Sequence, residues 1–277
     1  MKRVVTIQDI SCIGKCSLTV ALPILSSMSL ETAIIPTAVL STHTKFEGFT
    51  FRDLSEDIEA IEEHWEKLGM DFEAIYTGYL GSLSQIEMMR DFNRRFNKGR
   101  TLLVVDPVMA DNGAFYYGFD QNFADHMKQF CNEADVIMPN ITEACFLLHK
   151  DYIEHPTRQQ AEEIVKELVK EGTKVAILTG MSFEEGTLGA LGYDSVNDVW
   201  FEAHTKDIPA RYHGTGDIFA SSFTGALAQG KGLQRALEVA VLYTAKCVEC
   251  TLNDENRRWY GVNFEEALPY LHELMEK

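Results

Sequence analysis

Short β-branched, apolar runs alternate with amphipathic helical patterns along the 277-residue chain, and this alternation constrains the fold most. The clearest runs lie at 3–8, 33–39, 101–105 and 174–178. We predict strands there, although Pro36 interrupts the second run. Strand–helix alternation from end to end is typical of a mainly parallel sheet with helices on both faces. We therefore predict an α/β fold. Since no composition break or internal repeat divides the chain, we expect a single domain over 1–277.

Helical patterns fill the intervals between these runs. In 55–68 the apolar residues recur at helical spacing. The clearest helix spans 157–171, where Thr157 and Gln160 form a capping box and Gly172 ends the pattern. These signals are local, so they fix the helix before any tertiary contact is considered.

Two further elements are predicted towards the C-terminus. Asn263 and Glu266 have capping-box spacing at the start of a final helix. The stretch 187–205 carries an Asn197-Asp198 turn between two apolar runs, which indicates an antiparallel hairpin.

The net charge of −17 restricts the partners of the chain. Nucleic acid and anionic membranes both require a basic face, so neither is expected as a partner. The N-terminus lacks the long apolar region of a signal peptide, and no stretch is long enough for a membrane span, so we expect a cytoplasmic protein. Six cysteines then indicate free thiols, and the Cys247–Cys250 spacing lies in a helical pattern without a second pair to complete a zinc site.

The most informative segment is His213-Gly214-Thr215-Gly216-Asp217, which an apolar helical pattern follows at once. It predicts a glycine-rich turn that opens a helix over 214–228. The free amides of such a first turn bind an anion without lysine or arginine, so an acidic chain can still bind phosphate. Asp217 is either a functional carboxylate there or only a helix cap, and the segment alone leaves both interpretations open.

Five collinear motifs resemble those of the ribokinase-like superfamily, and within it the pyridoxal (vitamin B6) kinases. Besides the GTGD segment they are Ser41-Thr42-His43-Thr44, Thr77-Gly78-Tyr79-Leu80-Gly81-Ser82, Asp106-Pro107-Val108-Met109 and Pro139-Asn140-Ile141-Thr142-Glu143. The resemblance covers nearly the whole chain. It implies a ribokinase-like fold, ATP-dependent phosphorylation of the 5′-hydroxymethyl group of a B6 vitamer, and a homodimer.

The resemblance also implies roles for individual residues. Asp217 would be the general base, and Gly214, Thr215 and Gly216 would form the anion hole around the migrating phosphoryl group. The helix N-terminus is expected to lower the basicity of Asp217. A weak base suffices, however, because the transition state of phosphoryl transfer is loose and the proton can leave late. The substrate pocket would be lined by Asp9, Ser11, His43, Thr44 and Tyr79.

The resemblance further implies an ATP site with Mg²⁺, and it leaves open whether a monovalent cation assists. The nucleotide-binding residues would be Asp106, Asp111, Asn140, Glu143, Thr179, Gly180 and Thr215. Asp106 and Glu143 would serve the metal, because Mg²⁺ prefers oxygen ligands. Asn140 and Glu143 also have capping-box spacing, and both roles are compatible. Residues 111–119 resemble the flap that closes over ATP, although their aromatic side chains could instead pack on the body of the domain.

One departure leaves the substrate open. Pyridoxal kinases usually carry serine where this sequence has Asp9, and hydroxymethylpyrimidine kinases carry aspartate at that place. A hydroxymethylpyrimidine kinase is therefore the alternative enzyme. A non-catalytic B6- or nucleotide-binding protein on the same fold is the alternative of another class, although its expected mark, a broken GTGD motif, is not seen.

Overall fold

In the computed structural model, which describes residues 1–277, eleven strands and nine helices alternate along the chain. The strands are β1 (Arg3–Ser11), β2 (Glu31–Leu40), β3 (Phe51–Asp53), β4 (Ala74–Thr77), β5 (Leu102–Val105), β6 (Ala110–Asp111), β7 (Ala114–Phe115), β8 (Val136–Ile137), β9 (Val175–Met181), β10 (Thr187–Asp194) and β11 (Val199–Lys206). The helices are α1 (Leu18–Ser27), α2 (Ser55–Lys67), α3 (Leu83–Phe96), α4 (Gln121–Cys131), α5 (Ile141–Leu147), α6 (Arg158–Lys170), α7 (Thr215–Ala228), α8 (Leu233–Asn253) and α9 (Phe264–Glu276).

Nine strands form one sheet in the order β11-β10-β9-β8-β5-β4-β1-β2-β3. The six strands from β9 to β2 in this order pair in parallel. Antiparallel partners close both edges, namely β3 beside β2 and the β10–β11 hairpin beside β9. The mainly parallel α/β sheet and the hairpin at 187–205 are therefore confirmed.

Helices cover both faces of the sheet. Alternate side chains of one strand enter opposite cores, so that Val4 and Val5 of β1 belong to different clusters. One cluster of 35 buried residues joins the sheet to α1, α7, α8 and α9, and the other, of 34 residues, joins it to α2–α6. Because the clusters are nearly equal, neither face of the sheet is left to solvent.

Local signals predicted most of the elements, with two corrections. The capping box of Thr157 and Gln160 is formed in both directions at the start of α6. Pro36 lies within β2 rather than interrupting it, because β3 pairs only with Ala38–Leu40 and leaves one side of β2 open at the proline.

The prediction of a capping box at Asn263 was wrong. Helix α9 does begin after Asn263, but no side-chain cap bond forms. The side-chain amide of Asn263 instead donates through Nδ2 to Asp254 at 2.9 Å and accepts through Oδ1 from Lys15 at 3.2 Å. Tertiary partners have outcompeted the local one.

The structure contains neither a disulfide nor a helix suited to cross a membrane. All six cysteines are free, and Cys247 and Cys250 both lie within α8. None of the nine helices combines the length and apolarity that crossing a membrane requires.

Candidate active site

A cavity of about 530 Å³ opens where the parallel strands end. All of the site residues that the sequence predicted line it: Asp9, Ser11, His43, Thr44, Tyr79, Asp106, Asp111, Asn140, Glu143, Thr179, Gly180, Gly214, Thr215, Gly216 and Asp217. Many of them lie at or just after the carboxyl end of a strand, which is where open α/β sheets bind ligands, and the others include the start of α7. The fold therefore assembles in one place residues that are more than 200 positions apart in sequence.

Asp217 lies in the first turn of α7 and is partly buried in the cavity wall. Burial raises the pKa of its carboxyl to about 7, and the negative charge of Asp9 acts in the same direction. The nearby backbone amides of Ser17 and of Asp217 itself lower the pKa, but by less than burial raises it. The sequence-based expectation of a weakened base was wrong, because desolvation outweighs the helix terminus.

Gly214 must be glycine. It is the N-cap of α7 with φ 87°, a conformation that disfavours any side chain. A Cβ atom there would lie 2.2 Å from the carbonyl oxygen of Lys15. By contrast, Gly216 is exposed, and a Cβ there would meet nothing within 4 Å. Thr215 lies between them, and its hydroxyl donates to the carbonyl of Tyr212 at 3.3 Å.

Asp106 and Glu143 form a buried pair of acidic groups, 8% and 3% exposed. Burial and the charge of Glu143 raise the pKa of Asp106 well above its usual range. Burial raises the pKa of Glu143 to about 7, although backbone amides bind this carboxylate. No lysine or arginine contributes to either shift, so neither group has a basic partner.

The capping box of Asn140 and Glu143 is formed, so the structural interpretation of this motif holds. The Asn140 amide nitrogen donates to Glu143 Oε2 at 2.9 Å, and the Glu143 amide donates to Asn140 Oδ1 at 3.0 Å. Glu143 Oε1 accepts from the Met109 amide at 3.1 Å, and Asn140 Nδ2 donates to Ala110 O at 2.8 Å. These bonds tie α5 to the segment after β5 and still leave both side chains on the cavity wall.

Three other residues predicted to bind the nucleotide have local settings different from those expected. Thr179 and Gly180 lie inside β9 rather than after it. Gly180, with φ 73°, is the extra residue of the irregularity in the pairing of β9 with β10. The carboxylate of Asp111 is exposed and accepts two bonds of 2.9 Å from Asn112, so it caps the β6–β7 turn.

At the other end of the cavity, the Ser11 hydroxyl donates to Asp9 at 2.9 Å. Asp9 is 4% exposed, and burial raises its pKa. Both ring nitrogens of His43 are occupied: Nε2–H donates to the carbonyl of Tyr260 at 3.0 Å, and Nδ1 accepts from the Lys45 amide at 3.2 Å. His43 can therefore offer a ligand only its ring edge or face.

The flap-like segment divides into a packed part and a free part. Phe115 packs against Phe146 with ring centroids 4.3 Å apart, and Phe119 lies 5.6 Å from the ring of Tyr79. Tyr117, at 96% exposure, packs on nothing. The expectation that these aromatic residues pack on the domain therefore holds for Phe115 and fails for Tyr117.

The sequence reasoning missed several cavity residues. Lys45, Lys206 and Arg211 bring positive charge to a strongly acidic protein, and only Arg211 has an acidic partner, Asp207. The buried thiol of Cys16 also lines the wall, and burial raises its pKa, with smaller contributions from the charges of Asp217 and Asp9. Lys45 directly follows the Ser41–Thr44 motif, and this adjacency was the available signal. The other residues needed the tertiary structure.

Comparison with known proteins gives a consistent class. The family model described as phosphomethylpyrimidine kinase matches residues 27–259. Hydroxymethylpyrimidine/phosphomethylpyrimidine kinase of Haemophilus influenzae is 30% identical over 202 residues, which are 71% of this chain and 73% of that protein.

Solved structures agree over the whole length. A protein of Bacteroides thetaiotaomicron, provisionally named a phosphomethylpyrimidine kinase and solved with pyridoxal, is 37% identical with a TM-score of 0.92, covering 98% of this chain and 96% of that one. Pyridoxal kinase of Lactobacillus plantarum is 30% identical with a TM-score of 0.91, covering 100% and 98%.

Fold, cavity and relatives together define an ATP-dependent small-molecule kinase of the ribokinase-like superfamily. Within that class, the chain belongs to the phosphomethylpyrimidine kinase family.

Proposed function

We propose that this kinase transfers the terminal phosphoryl group of ATP to the 5′-hydroxymethyl group of a vitamin B6 vitamer. One observation carries the proposal: Asp217, a carboxylate whose pKa is about 7, lines the same cavity as Tyr79, Ser11 and Asp9. The Bacteroides relative solved with pyridoxal supports the choice of ligand.

The α7 end of the cavity performs the transfer. Asp217 accepts the proton of the substrate hydroxyl, and a carboxyl with a pKa near 7 has the basicity that general-base catalysis at neutral pH requires. The amides at Gly214–Gly216 donate to the phosphoryl oxygens at the positive end of the helix. Both groups belong to one helical turn, so their separation is fixed by the backbone.

Asp106 and Glu143 suit a magnesium ion. Two buried acidic groups that repel each other and have no basic partner fit a divalent cation, which would supply the missing positive charge. No group of three or more metal-ligating side chains exists, so water and the phosphates of ATP would complete the coordination shell. A Mg²⁺ ion held by these two residues would neutralise charge on the phosphate oxygens.

The substrate end suits an aromatic ring with polar substituents. Burial, with a smaller contribution from Asp9, raises the pKa of Tyr79 to about 12, so its ring stays neutral and can stack on a pyridine. Asp9 and Ser11 form a hydrogen-bonded pair that meets the substituents or nitrogen of such a ring.

Hydroxymethylpyrimidine phosphorylation is the second candidate, and Asp9 favours it. A buried acidic group can pair with the amino group and ring nitrogen of an aminopyrimidine as well as with a protonated pyridine. The Haemophilus relative, which is 30% identical and is named a hydroxymethylpyrimidine/phosphomethylpyrimidine kinase, supports this second candidate.

A coupled assay of ADP formation separates the candidates. Purified protein with Mg²⁺ and ATP is incubated with pyridoxal, pyridoxine, pyridoxamine or hydroxymethylpyrimidine. We expect the highest kcat/KM with a vitamer, at least tenfold lower turnover without acceptor, and loss of activity in Asp217→Asn but not in Asp71→Asn, a carboxylate that is 86% exposed. A preference for the pyrimidine would overturn the vitamer proposal, and full activity of Asp217→Asn would overturn the assignment of the base.

A further inference from the structure

The segment between β1 and α1, residues 12–17, has a backbone that its sequence does not favour. Lys15 and Ser17 both have φ 51°, although neither is glycine. Ser17 combines this with ψ −135°, a combination that glycine normally occupies. Something outside the segment must hold this conformation.

The strained segment lies directly against the anion-hole turn and the base. Ser17 is close enough to both carboxylates to affect them, since its backbone amide lowers the pKa of Asp217 and its hydroxyl lowers that of Asp9. The Lys15 carbonyl oxygen lies so close to Gly214 that a Cβ atom there would be 2.2 Å away. The backbone of this segment therefore determines where the carboxylate and the turn sit relative to each other.

The side chain of Lys15 anchors the segment to the start of α9. Its ammonium donates to Val262 O at 3.2 Å, Asn263 Oδ1 at 3.2 Å and Glu265 Oε2 at 2.9 Å. Gly261 packs so closely that a Cβ there would lie 2.5 Å from Lys15 Cβ. Lys15 is only 22% exposed, so these bonds are partly shielded from water.

The anchor is itself rigid. The backbone amide of Asn263 donates to Thr251 Oγ1 at 2.7 Å, and its side-chain Nδ2 donates to Asp254 Oδ2 at 2.9 Å. Thr251 lies in the last turn of α8 and Asp254 is the C-cap of this helix, which packs on α7. Lys15 thus connects the strained segment to the same helical layer that carries Asp217.

We propose that Lys15 is a positioning residue, which holds segment 12–17 in its strained conformation so that the Ser17 amide and the Lys15 carbonyl fix Asp217 and Gly214 for phosphoryl transfer. The inference rests on the proposed function only for the role of Asp217 as the base. It requires no contact between Lys15 and either substrate.

The test replaces Lys15→Met, which keeps the aliphatic stem and removes the ammonium. We expect kcat to fall about tenfold or more while KM for ATP changes less than about twofold, because the base and turn lose alignment but the nucleotide pocket does not. Lys174→Met is the matched control, since it removes a 2.6 Å ion pair with Asp135 on a part of the surface outside the cavity. It should leave kcat unchanged.

A double-mutant cycle isolates the role in the strained backbone. Glycine adopts the Ser17 conformation freely, so in a Ser17→Gly background Lys15→Met should lower kcat by no more than about threefold. Equal losses in both backgrounds would overturn the inference, because Lys15 would then act independently of the strain.

A second measurement does not depend on which substrate is correct. Hydrogen–deuterium exchange of the peptide that covers residues 12–17 should speed up in Lys15→Met and stay unchanged in Lys174→Met. Unchanged exchange together with unchanged kcat on the preferred substrate would refute the proposal. If Lys15→Met does not fold, Glu265→Ala removes one of the three acceptors, and a kcat equal to that of the wild type would be the refuting result.

Discussion

Replacing the base by its amide, Asp217→Asn, should abolish turnover and at the same time stabilise the ligand-free protein at alkaline pH. The folded-state pKa of Asp217 is about 7, against an ordinary value of 3.8. The folded protein therefore holds this proton more tightly than the unfolded chain does. Protonated Asp217 contributes to the stability of the wild-type protein at acidic pH. This contribution is lost as the pH rises through the window from about 4 to about 7, because a charged carboxylate must then stay buried. Asparagine has no charge to desolvate.

The magnitude follows from the linkage between proton binding and stability. Between pH 6 and pH 8, a group with a folded-state pKa of about 7 loses at most the free energy of one pKa unit, about 1.4 kcal/mol. Asp217 is partly exposed to the cavity, and solvent screening reduces this to roughly 1 kcal/mol. For a chain of this size, that corresponds to about 2–4 °C in Tm.

Differential scanning calorimetry at pH 6 and pH 8, at equal ionic strength and without nucleotide, measures the effect. The Tm advantage of Asp217→Asn over the wild type should be about 2–4 °C larger at pH 8 than at pH 6. Histidines with shifted pKa values, such as His213, titrate equally in both proteins and cancel in the difference. Asp71→Asn should show the same difference from the wild type at both pH values. An Asp217→Asn advantage that does not grow with pH would refute burial as the cause of the raised pKa.

Two further predictions concern the metal and the anion-hole turn. Glu143→Gln should raise the Mg²⁺ concentration for half-maximal activity about tenfold in a titration at fixed ATP, since it removes one of two buried acidic groups, and an unchanged titration would contradict the assignment. Gly214→Ala should lower kcat by roughly 10–100-fold, because its Cβ would meet the Lys15 carbonyl at φ 87°. Gly232→Ala, where a Cβ meets nothing within 4 Å, is the control, and equal kcat in the two variants would show that the close approach is unimportant.

Elements fixed by local chemistry could be predicted from the sequence. Helix α6 begins after Thr157, since the side chain and backbone that cap it lie within four residues of each other. The β10–β11 hairpin turns at Asp198, whose φ of 54° suits a residue type that tolerates this conformation. The site residues converge as expected because they follow strand ends, and a parallel sheet brings those ends to one edge.

The remaining features depend on partners that are distant in sequence. Asn263 has the correct spacing for a capping box, but Lys15 and Asp254 bind its side chain instead. The pKa of Asp217 could not be read from its place in a helical turn, because burial is set by the walls of the cavity. The role of segment 12–17 was equally hidden, since nothing in its composition signals a positive φ at Lys15 and Ser17.

Under the proposed function, the acidic groups of the cavity also link substrate recognition to catalysis. Asp9 and Asp217 face one pocket, and the charge of Asp9 contributes to the raised pKa of Asp217. A ring that pairs a proton with Asp9 cancels that charge and thereby lowers the pKa of Asp217, so the base loses its own proton more readily when the correct ring is bound. Asp106 depends on Glu143 in the same way, and a bound cation would relieve both. The strength of the base is therefore a property of the occupied site, because each ligand removes a repulsion that the empty cavity retains.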